Sequence, residues 1–110
     1  MVGATAIALA SALIPMGYRL VWSDEFRNPG QVDPSKWTYE TGFVRNEEAQ
    51  LYRPENVRVD RRGLVIGARR EGVPNPGYDP ANSDWSHSRI VAEYTSGSIR
   101  STSSWLYGRF

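Results

Sequence analysis

The sequence predicts an all-β fold, and three observations support this. Its 110 residues include ten glycines and seven prolines, which are spread along the chain as in proteins with many turns and short strands. Several short segments alternate apolar and polar residues with the period of two that is typical of half-buried strands. No stretch of useful length has the 3.6-residue periodicity of an amphipathic helix. The length allows one small domain with a modest core.

The first predicted strands lie near the start of the domain. Tyr18–Trp22 alternates and is rich in β-forming residues, so it predicts a strand, and the turn signal Asn28–Gly30 ends this segment. Residues 33–36 predict a turn or a single helical turn. This turn leads into a second short strand over Trp37–Glu40.

The clearest predicted hairpin joins Asn56–Val59 to Leu64–Ala68. Gly63 stands just before the second strand, where the turn needs a positive φ that glycine adopts without strain. Successive strand residues point to opposite faces, so the apolar residues at alternate positions share a face in each strand. These residues are Val57 and Val59 in the first strand and Leu64, Ile66 and Ala68 in the second.

The second half of the sequence predicts one long loop and further short strands. Residues 71–88 hold three prolines and two glycines among polar residues, which predicts a long surface loop. Ile90–Tyr94 and Ser98–Ser101 predict strands on either side of the turn signal Thr95–Gly97. Leu106–Phe110 begins another extended run.

The end of the sequence lies inside that last run. A strand that ends on a large aromatic residue, with no turn or polar tail after it, is an unusual terminus. Because β-sandwiches often have about 200–250 residues in one domain, we expect a sandwich that is truncated at its C-terminus. The alternative is a small immunoglobulin-like sandwich, which six or seven strands can close. The short alternating segments do not supply the two full inner faces that such a sandwich needs.

The charge pattern argues against several classes of partner. A formal net charge of +1 gives no strong field that would attract nucleic acid or a membrane surface, so neither is predicted as a partner. The only basic pairs are Arg61-Arg62 and Arg69-Arg70, and neither lies beside an aromatic run, so we expect solvated hairpin ends. The absence of cysteine excludes disulfides and thiolate metal sites.

Residues 1–17 predict a leader. The first sixteen, MVGATAIALASALIPM, carry no charge and are too few to span a bilayer as a helix, which takes about twenty apolar residues. An apolar stretch followed by Ala10-Ser11-Ala12 fits a secretory signal with its small-residue cleavage site, and predicts a secreted protein. The first basic residue is Arg19, so the positively charged start of such signals is missing. The alternative is an N-terminal strand or a disordered lead.

Four segments of the chain, each weak alone, are specific as an ordered set. They are Leu20–Phe26 with Asp33–Trp37, Asn46–Tyr52, Arg53–Val59 with Gly63–Ile66, and Tyr94–Arg100 with Tyr107–Phe110. Through these segments, residues 18–110 resemble glycoside hydrolase family 16, in its laminarinase-like group of endo-β-1,3(4)-glucanases.

The resemblance implies a concanavalin-like jelly-roll β-sandwich whose concave face holds a glucan chain. It implies a monomeric enzyme that cleaves internal β-1,3 or mixed β-1,3/1,4 links of this polysaccharide with retention, and that needs no cofactor for the chemistry. In the family, Glu-x-Asp-x-x-Glu on a later strand supplies the catalytic carboxyls. No glutamate of this sequence is followed two positions later by aspartate, so no catalytic residue is assigned and the chain itself is expected to be inactive.

By the same resemblance, four residues are candidates for substrate binding. Asn46 matches a position that hydrogen-bonds a sugar hydroxyl, and an amide suits this because it both donates and accepts. Arg109 matches an arginine near the cleft, whose five donors suit vicinal hydroxyls. Trp105 and Tyr107 offer flat apolar faces to sugar rings. The respective alternatives are a turn-stabilising asparagine, an ordinary exposed arginine and aromatic residues of the core.

Glu25 is the candidate metal ligand. It lies in a segment that, in several family members, adjoins a structural calcium ion, and calcium takes six to eight oxygens, many from backbone and water. A buried acid paired with an arginine is the alternative. His87, the only histidine, has no partner histidine or cysteine and is expected to be a loop residue.

Two other functions are compatible with these residues. One is a glucan-binding jelly-roll module without catalysis, which the sequence after Phe110 would distinguish by substituted acids. The other is an unrelated small sandwich with a structural role, which is favoured if residues 18–110 close on themselves.

Overall fold

The computed structural model describes residues 14–108, and within them it confirms the all-β prediction. Seven strands are joined by turns and by two 3-10 turns, at Pro54–Asn56 and Trp85–His87. The strands are β1 (Trp37–Tyr39), β2 (Gln50–Tyr52), β3 (Val57–Asp60), β4 (Gly63–Ile66), β5 (Arg69–Pro74), β6 (Val91–Ser96) and β7 (Ile99–Ser101). Residues 1–13 of the predicted leader lie outside the described residues. Within residues 14–108, no helix has the length and apolar character needed to cross a bilayer.

The strands form three small sheets. β1 pairs with β7 in antiparallel fashion, and β3 pairs with β4 in the same way. The largest sheet has the order β2-β6-β5, in which β2 runs parallel to β6 and β5 runs antiparallel to it. Its register sets Tyr94 of β6 beside Gln50 on one side and Arg70 on the other. β6 and β7 follow each other in sequence but belong to different sheets, so the chain changes sheet at Gly97.

The β3–β4 hairpin confirms the clearest prediction. Val59 pairs with Leu64, and Gly63 has a φ of +107°, a region that side chains other than glycine's rarely adopt. Val57 and Val59 are buried as expected. The predicted inner face of the second strand ends early, because β4 stops at Ile66, which is 47% exposed, and Ala68 lies beyond it.

Two apolar clusters make the core of the described part of the chain. The first is built on Val32, Val57 and Val59, with Phe26, Trp37, Tyr39, Leu64 and Ile99 packed against it. The second is built on Phe43, Leu51 and Ala92, with Val73 and Trp85 at its edge. Leu51, Ala92 and Val73 come from β2, β6 and β5, so the second cluster lies on one face of that sheet.

A buried polar network links the segments around β6. Asn56 is completely buried, and its Nδ2 donates to the Gly67 carbonyl at 2.8 Å and to Thr95 Oγ1 at 2.9 Å. Its Oδ1 accepts from Arg53 Nε at 3.0 Å. Thr95 donates in turn to Glu71 Oε1 at 2.6 Å, and Arg53 Nη2 donates to the same oxygen at 2.6 Å. Among the described residues, every buried side-chain nitrogen and oxygen therefore has a hydrogen-bond partner.

The strand predicted over Tyr18–Trp22 is wrong. These residues belong to no strand and pair with none among residues 14–108, and Tyr18 and Val21 are exposed. Trp22 packs on the core side, since its ring lies 5.4 Å from that of Trp37 in an edge-on contact. High β propensity makes a strand only where a neighbouring strand completes its hydrogen bonds, because propensity reports a fit to a sheet surface.

The long loop predicted over residues 71–88 is also wrong in its first part. Residues 71–74 belong to β5, which lies at the edge of its sheet, where Pro74 costs no ladder hydrogen bond. The remaining residues form the loop, with a 3-10 turn at Trp85–His87 whose start is capped by Asp84. Pairing with β6 therefore overrides the turn signals of glycine and proline.

The next two predictions need smaller corrections. β6 continues through Thr95 and Ser96, which the sequence assigned to a turn. The extended run predicted from Leu106 is not a strand over 106–108, where the chain bends and Leu106 and Tyr107 are almost fully exposed. No partner strand among the described residues pairs with it, and residues 109–110 lie outside them.

Candidate functional site

The loop over residues 43–49 carries Asn46 and is held at its base. Gly42 and Tyr52 exchange both of their backbone hydrogen bonds, each 2.9 Å long. Gly42 has a φ of +90°, which turns the chain into the loop. The next residue, Phe43, is buried in the core beside Leu51, so both ends of the loop are fixed to β2.

An ion pair fixes the loop from the side of β1. Arg45 Nη2 lies 2.5 Å from Glu40 Oε1, and Ser98 Oγ donates to Glu40 Oε2 at 2.5 Å. The hydrogen bond from Arg45, and after it that from Ser98, holds the pKa of Glu40 below its usual range. The same pairing with Glu40 raises the pKa of Arg45, so both groups stay charged across neutral pH. The Arg45 guanidinium also lies 5.8 Å from the centre of the Tyr52 ring.

A row of polar side chains runs along β2 beside this loop. Gln50 Nε2 donates to Glu48 Oε2 at 2.7 Å and to the Tyr52 hydroxyl at 3.2 Å, and that hydroxyl donates to Glu48 Oε2 at 3.3 Å. Leu51 between them is buried, since alternate strand residues face opposite ways. These hydrogen bonds therefore hold the three polar side chains together on the face of β2 opposite the buried Leu51.

Asn46 stands at the tip of the loop in a strained conformation. Asn46 has a φ of +58° and Glu47 a φ of +50°, a region that asparagine tolerates and glutamate rarely adopts. The Asn46 side chain is exposed, and Nδ2 makes one long hydrogen bond, 3.4 Å, to Glu48 Oε1. Within residues 14–108 its Oδ1 accepts no hydrogen bond, so the amide presents a donor and an acceptor to solvent. Both predicted roles, turn residue and exposed amide, are compatible with this geometry.

The other candidate substrate-binding residues lie elsewhere. The Trp105 ring centre is 5.3 Å from that of Trp22, which also contacts Trp37, so Trp105 belongs to an aromatic group on the first core cluster. Tyr107 is 90% exposed and packs against little. Arg109 lies outside the described residues. Asn46 and Trp105 share no hydrogen bond or ring contact. Asn46 instead bonds Glu48, which is bonded in turn by Gln50 and Tyr52.

Glu25 is exposed and makes no ion pair within residues 14–108, so the alternative of a buried acid paired with an arginine is wrong. Its neighbour Asp24 is the structural acid, which accepts from Trp37 Nε1 at 2.7 Å and from the Phe26 backbone at 2.8 Å. Among the described residues no group of three or more acidic, histidine or cysteine side chains could hold a metal ion. The side chains alone therefore do not make a calcium site, and calcium at Glu25 stays a prediction.

His87 lies in the loop, as predicted. Its Nδ1 is hydrogen-bonded to the Gly77 carbonyl, and the ring helps to line a cleft of about 870 Å³ between the ends of β2 and β5 and the 75–87 loop. Sequence reasoning missed this cleft because it did not predict β5. It also missed the Glu48, Gln50 and Tyr52 row, whose spacing of two is itself a strand signal.

Two curated proteins are similar to this chain, and no family model matches it. A β-glucanase of Rhodothermus marinus is 41% identical over 98 residues, which cover 84% of this chain and 29% of that protein. The clotting factor G alpha subunit of Tachypleus tridentatus is 36% identical over 93 residues, which cover 76% of this chain and 13% of that protein. The chain thus spans less than a third of the length of these relatives.

Solved structures give the same picture. One, from work on endo-acting O-glycanases that gut bacteria express to initiate mucin breakdown, has a TM-score of 0.69 and 36% identity over 78% of this chain and 32% of its own. LamAcat from Zobellia galactanivorans has a TM-score of 0.62 and 31% identity over 81% of this chain and 34% of its own. A non-specific endo-β-1,3(4)-glucanase from family GH16 is 38% identical over 78% of this chain and 32% of its own, with a TM-score of 0.49. The first two confirm that these strands form part of the same jelly-roll fold.

Proposed function

This chain belongs to glycoside hydrolase family 16, and from this membership we propose that the protein hydrolyses internal β-1,3 or mixed β-1,3/1,4 links of a β-glucan. The observation that carries the proposal is the polar loop site at Asn46 on a chain similar to a β-glucanase and to LamAcat. Because one similar structure comes from work on O-glycanases, the identity of the glycan that is cleaved is the part of the proposal that most needs measurement.

In this proposal, the residues of this chain bind the glucan. Asn46 offers one donor and one acceptor at an exposed tip, which suits a sugar hydroxyl that also does both. The Arg45–Glu40 ion pair and the Gly42–Tyr52 hydrogen bonds fix the loop, so less conformational entropy is lost when a ligand binds. The exposed ring of Tyr107 is more available to a sugar face than that of Trp105, which packs against Trp22.

Hydrolysis with retention needs a pair of carboxyl groups at a set distance, and this sequence does not supply such a pair. A retaining glycosidase uses two carboxyl groups about 5–5.5 Å apart, one as nucleophile and one as acid/base. Here Glu40 is engaged by Arg45 and Ser98, and Glu48 by Gln50 and Tyr52. We therefore assign no catalytic residue among these 110 and expect them to bind glucan without cleaving it.

A non-catalytic glucan-binding module is the second candidate. The chain is similar to a clotting factor subunit as well as to a β-glucanase, so similarity alone does not choose between the two candidates. Release of reducing sugar from laminarin by the protein translated from the whole coding frame separates the two, since a binding module releases none.

Binding is tested at Asn46 by titrating the purified chain with laminarin oligosaccharides in a calorimeter. Asn46→Gly keeps the left-handed backbone and removes the amide, and we expect about fivefold weaker binding, equivalent to a hydrogen bond of about 1 kcal/mol. Asn82→Ala is the matched control, because Asn82 is exposed and its side chain accepts only from the Asp84 backbone. If Asn46→Gly binds the oligosaccharides as tightly as Asn82→Ala does, Asn46 is not part of the binding site.

Reducing-sugar release from laminarin by the 110-residue chain, above a buffer control, would contradict the expected lack of catalysis. Binding that is equally strong to dextran would contradict the proposed β-glucan.

A further inference from the structure

Two loops meet beside the candidate site. The first covers residues 43–49 and carries Asn46, and we call it the Asn46 loop. The second covers residues 75–90 and joins β5 to β6, so we call it the β5–β6 loop. The side chain of Arg89, from the β5–β6 loop, contacts the Asn46 loop at both of its ends. One side chain of the second loop therefore holds the first at two points.

At the start of the Asn46 loop, Arg89 packs on an aromatic ring. Its guanidinium lies 4.9 Å from the centre of the Phe43 ring, within the range of a cation–π interaction. The Trp85 ring, also from the β5–β6 loop, contacts the same ring, with the two centres 6.1 Å apart. Phe43 is 7% exposed, so it has little contact with solvent. The β5–β6 loop therefore helps to fix the first residue of the Asn46 loop.

At the end of the Asn46 loop, Arg89 contacts the backbone. Its Nη1 donates to the Glu48 carbonyl at 3.5 Å and to the Ala49 carbonyl at 3.4 Å. Both bonds are long, because one nitrogen is shared between two acceptors. Glu48 is also the residue whose Oε1 accepts from Asn46 Nδ2. Arg89 therefore holds the residue to which the Asn46 amide is bonded.

The β5–β6 loop is itself closed by hydrogen bonds near the backbone of Arg89. Asn75 is 6% exposed, and its Nδ2 donates to the Arg89 carbonyl at 2.8 Å and to the Ser86 carbonyl at 3.3 Å. The Asn75 backbone N–H donates to the Ile90 carbonyl at 3.0 Å. These bonds join the two ends of the loop. A side chain that starts from a fixed backbone loses less conformational entropy when it makes its contacts.

No carboxylate competes for Arg89 in the part of the chain that the structure describes. The ion pairs within residues 14–108 use other arginines, so no carboxylate oxygen there lies within 4.0 Å of a nitrogen of Arg89. Hydrogen bonds from a charged donor are stronger than those from a neutral one. The full charge of the guanidinium therefore acts on the Phe43 ring and on the two carbonyl groups.

We propose that Arg89 is a positioning residue, which sets the place and orientation of the Asn46 amide by holding the Asn46 loop at both ends. It acts through the loop, since its contacts there are with Phe43, Glu48 and Ala49. The inference rests on the proposed role of Asn46 in binding glucan. It adds that the β5–β6 loop controls the affinity of that site for a sugar.

Two substitutions at Arg89 separate its charge from its packing. Arg89→Lys keeps a charged donor on a flexible stem, and an ammonium can replace the guanidinium because a single nitrogen makes both carbonyl contacts. Arg89→Met keeps an unbranched apolar side chain and removes the charge and the donors. Arg61→Met is the matched control, because Arg61 is exposed in the turn between β3 and β4.

Hydrogen exchange followed by NMR on the purified full chain measures the Asn46 loop without any ligand. The reporter is the Glu48 amide, which donates to the Arg45 carbonyl at 3.2 Å inside the loop, and the reference is the Val59 amide of β3. Arg89→Met should speed exchange at Glu48 about threefold and leave Val59 unchanged, because it promotes a local opening. The other two variants should stay within about twofold of the parent at both amides.

Titration with laminarin oligosaccharides then tests the link to the sugar. Arg89→Met should weaken binding about threefold, less than the loss expected of Asn46→Gly, because the amide is displaced and not removed. In the Asn46→Gly background the same substitution should change binding by less than about twofold, since a residue that acts only through the amide has nothing left to position.

Four results overturn the proposal. They are equal exchange at Glu48 in Arg89→Met and the parent, an equal increase at Val59, failure of Arg89→Lys to restore slow exchange, and a binding loss of the same size with and without the Asn46 amide. A parent chain that binds no laminarin oligosaccharide overturns the proposed function instead. The exchange comparison then still decides whether Arg89 holds the loop.

Discussion

Replacing Asn56 by alanine should destabilise the protein strongly, because this side chain makes three hydrogen bonds in a site that water does not reach. The variant loses the bonds to the Gly67 carbonyl, Thr95 Oγ1 and Arg53 Nε. Each such bond contributes about 1 kcal/mol net, so the free energy of unfolding should fall by about 3 kcal/mol. A domain of this size should then melt at a temperature lower by roughly 12–24 °C.

Urea denaturation followed by tryptophan fluorescence measures this loss. Asn82→Ala is the control, since Asn82 is exposed and bonds only the Asp84 backbone two residues away, and its effect should stay below about 0.5 kcal/mol. If Asn56→Ala unfolds within 0.5 kcal/mol of the parent at an unchanged slope, on the scale expected of surface substitutions, the buried network does not exist as described.

Two further predictions concern a glycine and an acid. Gly63→Ala should lower the free energy of unfolding by about 1–2 kcal/mol, because Gly63 has a φ of +107°. Gly72→Ala is the control and should leave it almost unchanged, because the added Cβ meets only an ordinary 3.9 Å contact. Equal effects of the two substitutions in denaturation would show that the turn does not need glycine. The lowered pKa of Glu40 means that its stabilising effect is present above its ordinary pKa of 4.5 and is lost as the pH falls through the lower folded value. The stability advantage of the parent over Glu40→Gln should therefore be constant near neutral pH and shrink below pH 4.5, and an advantage that is the same in acid would argue against the ion pair.

Local sequence was sufficient where neighbouring residues decide the structure. The β3–β4 hairpin depends on two apolar alternating segments and Gly63, all within about ten residues, and the prediction is confirmed. The turn before β1 is confirmed for the same reason, since the Asp33 carbonyl accepts from Lys36 and Trp37. Asn46 was singled out from sequence through the resemblance of its segment to a family, and its role in binding stays a prediction.

Only the tertiary structure decided which extended segments become strands and which side chains meet. Tyr18–Trp22 has the stronger β pattern yet has no partner strand among the described residues, whereas β5 forms against its turn signals because β6 pairs with it. Tyr94 meets Arg70 for the same reason. Strand pairing is a contact between residues far apart in the chain, and its energy lies in cross-strand hydrogen bonds and side-chain pairs that no local pattern contains.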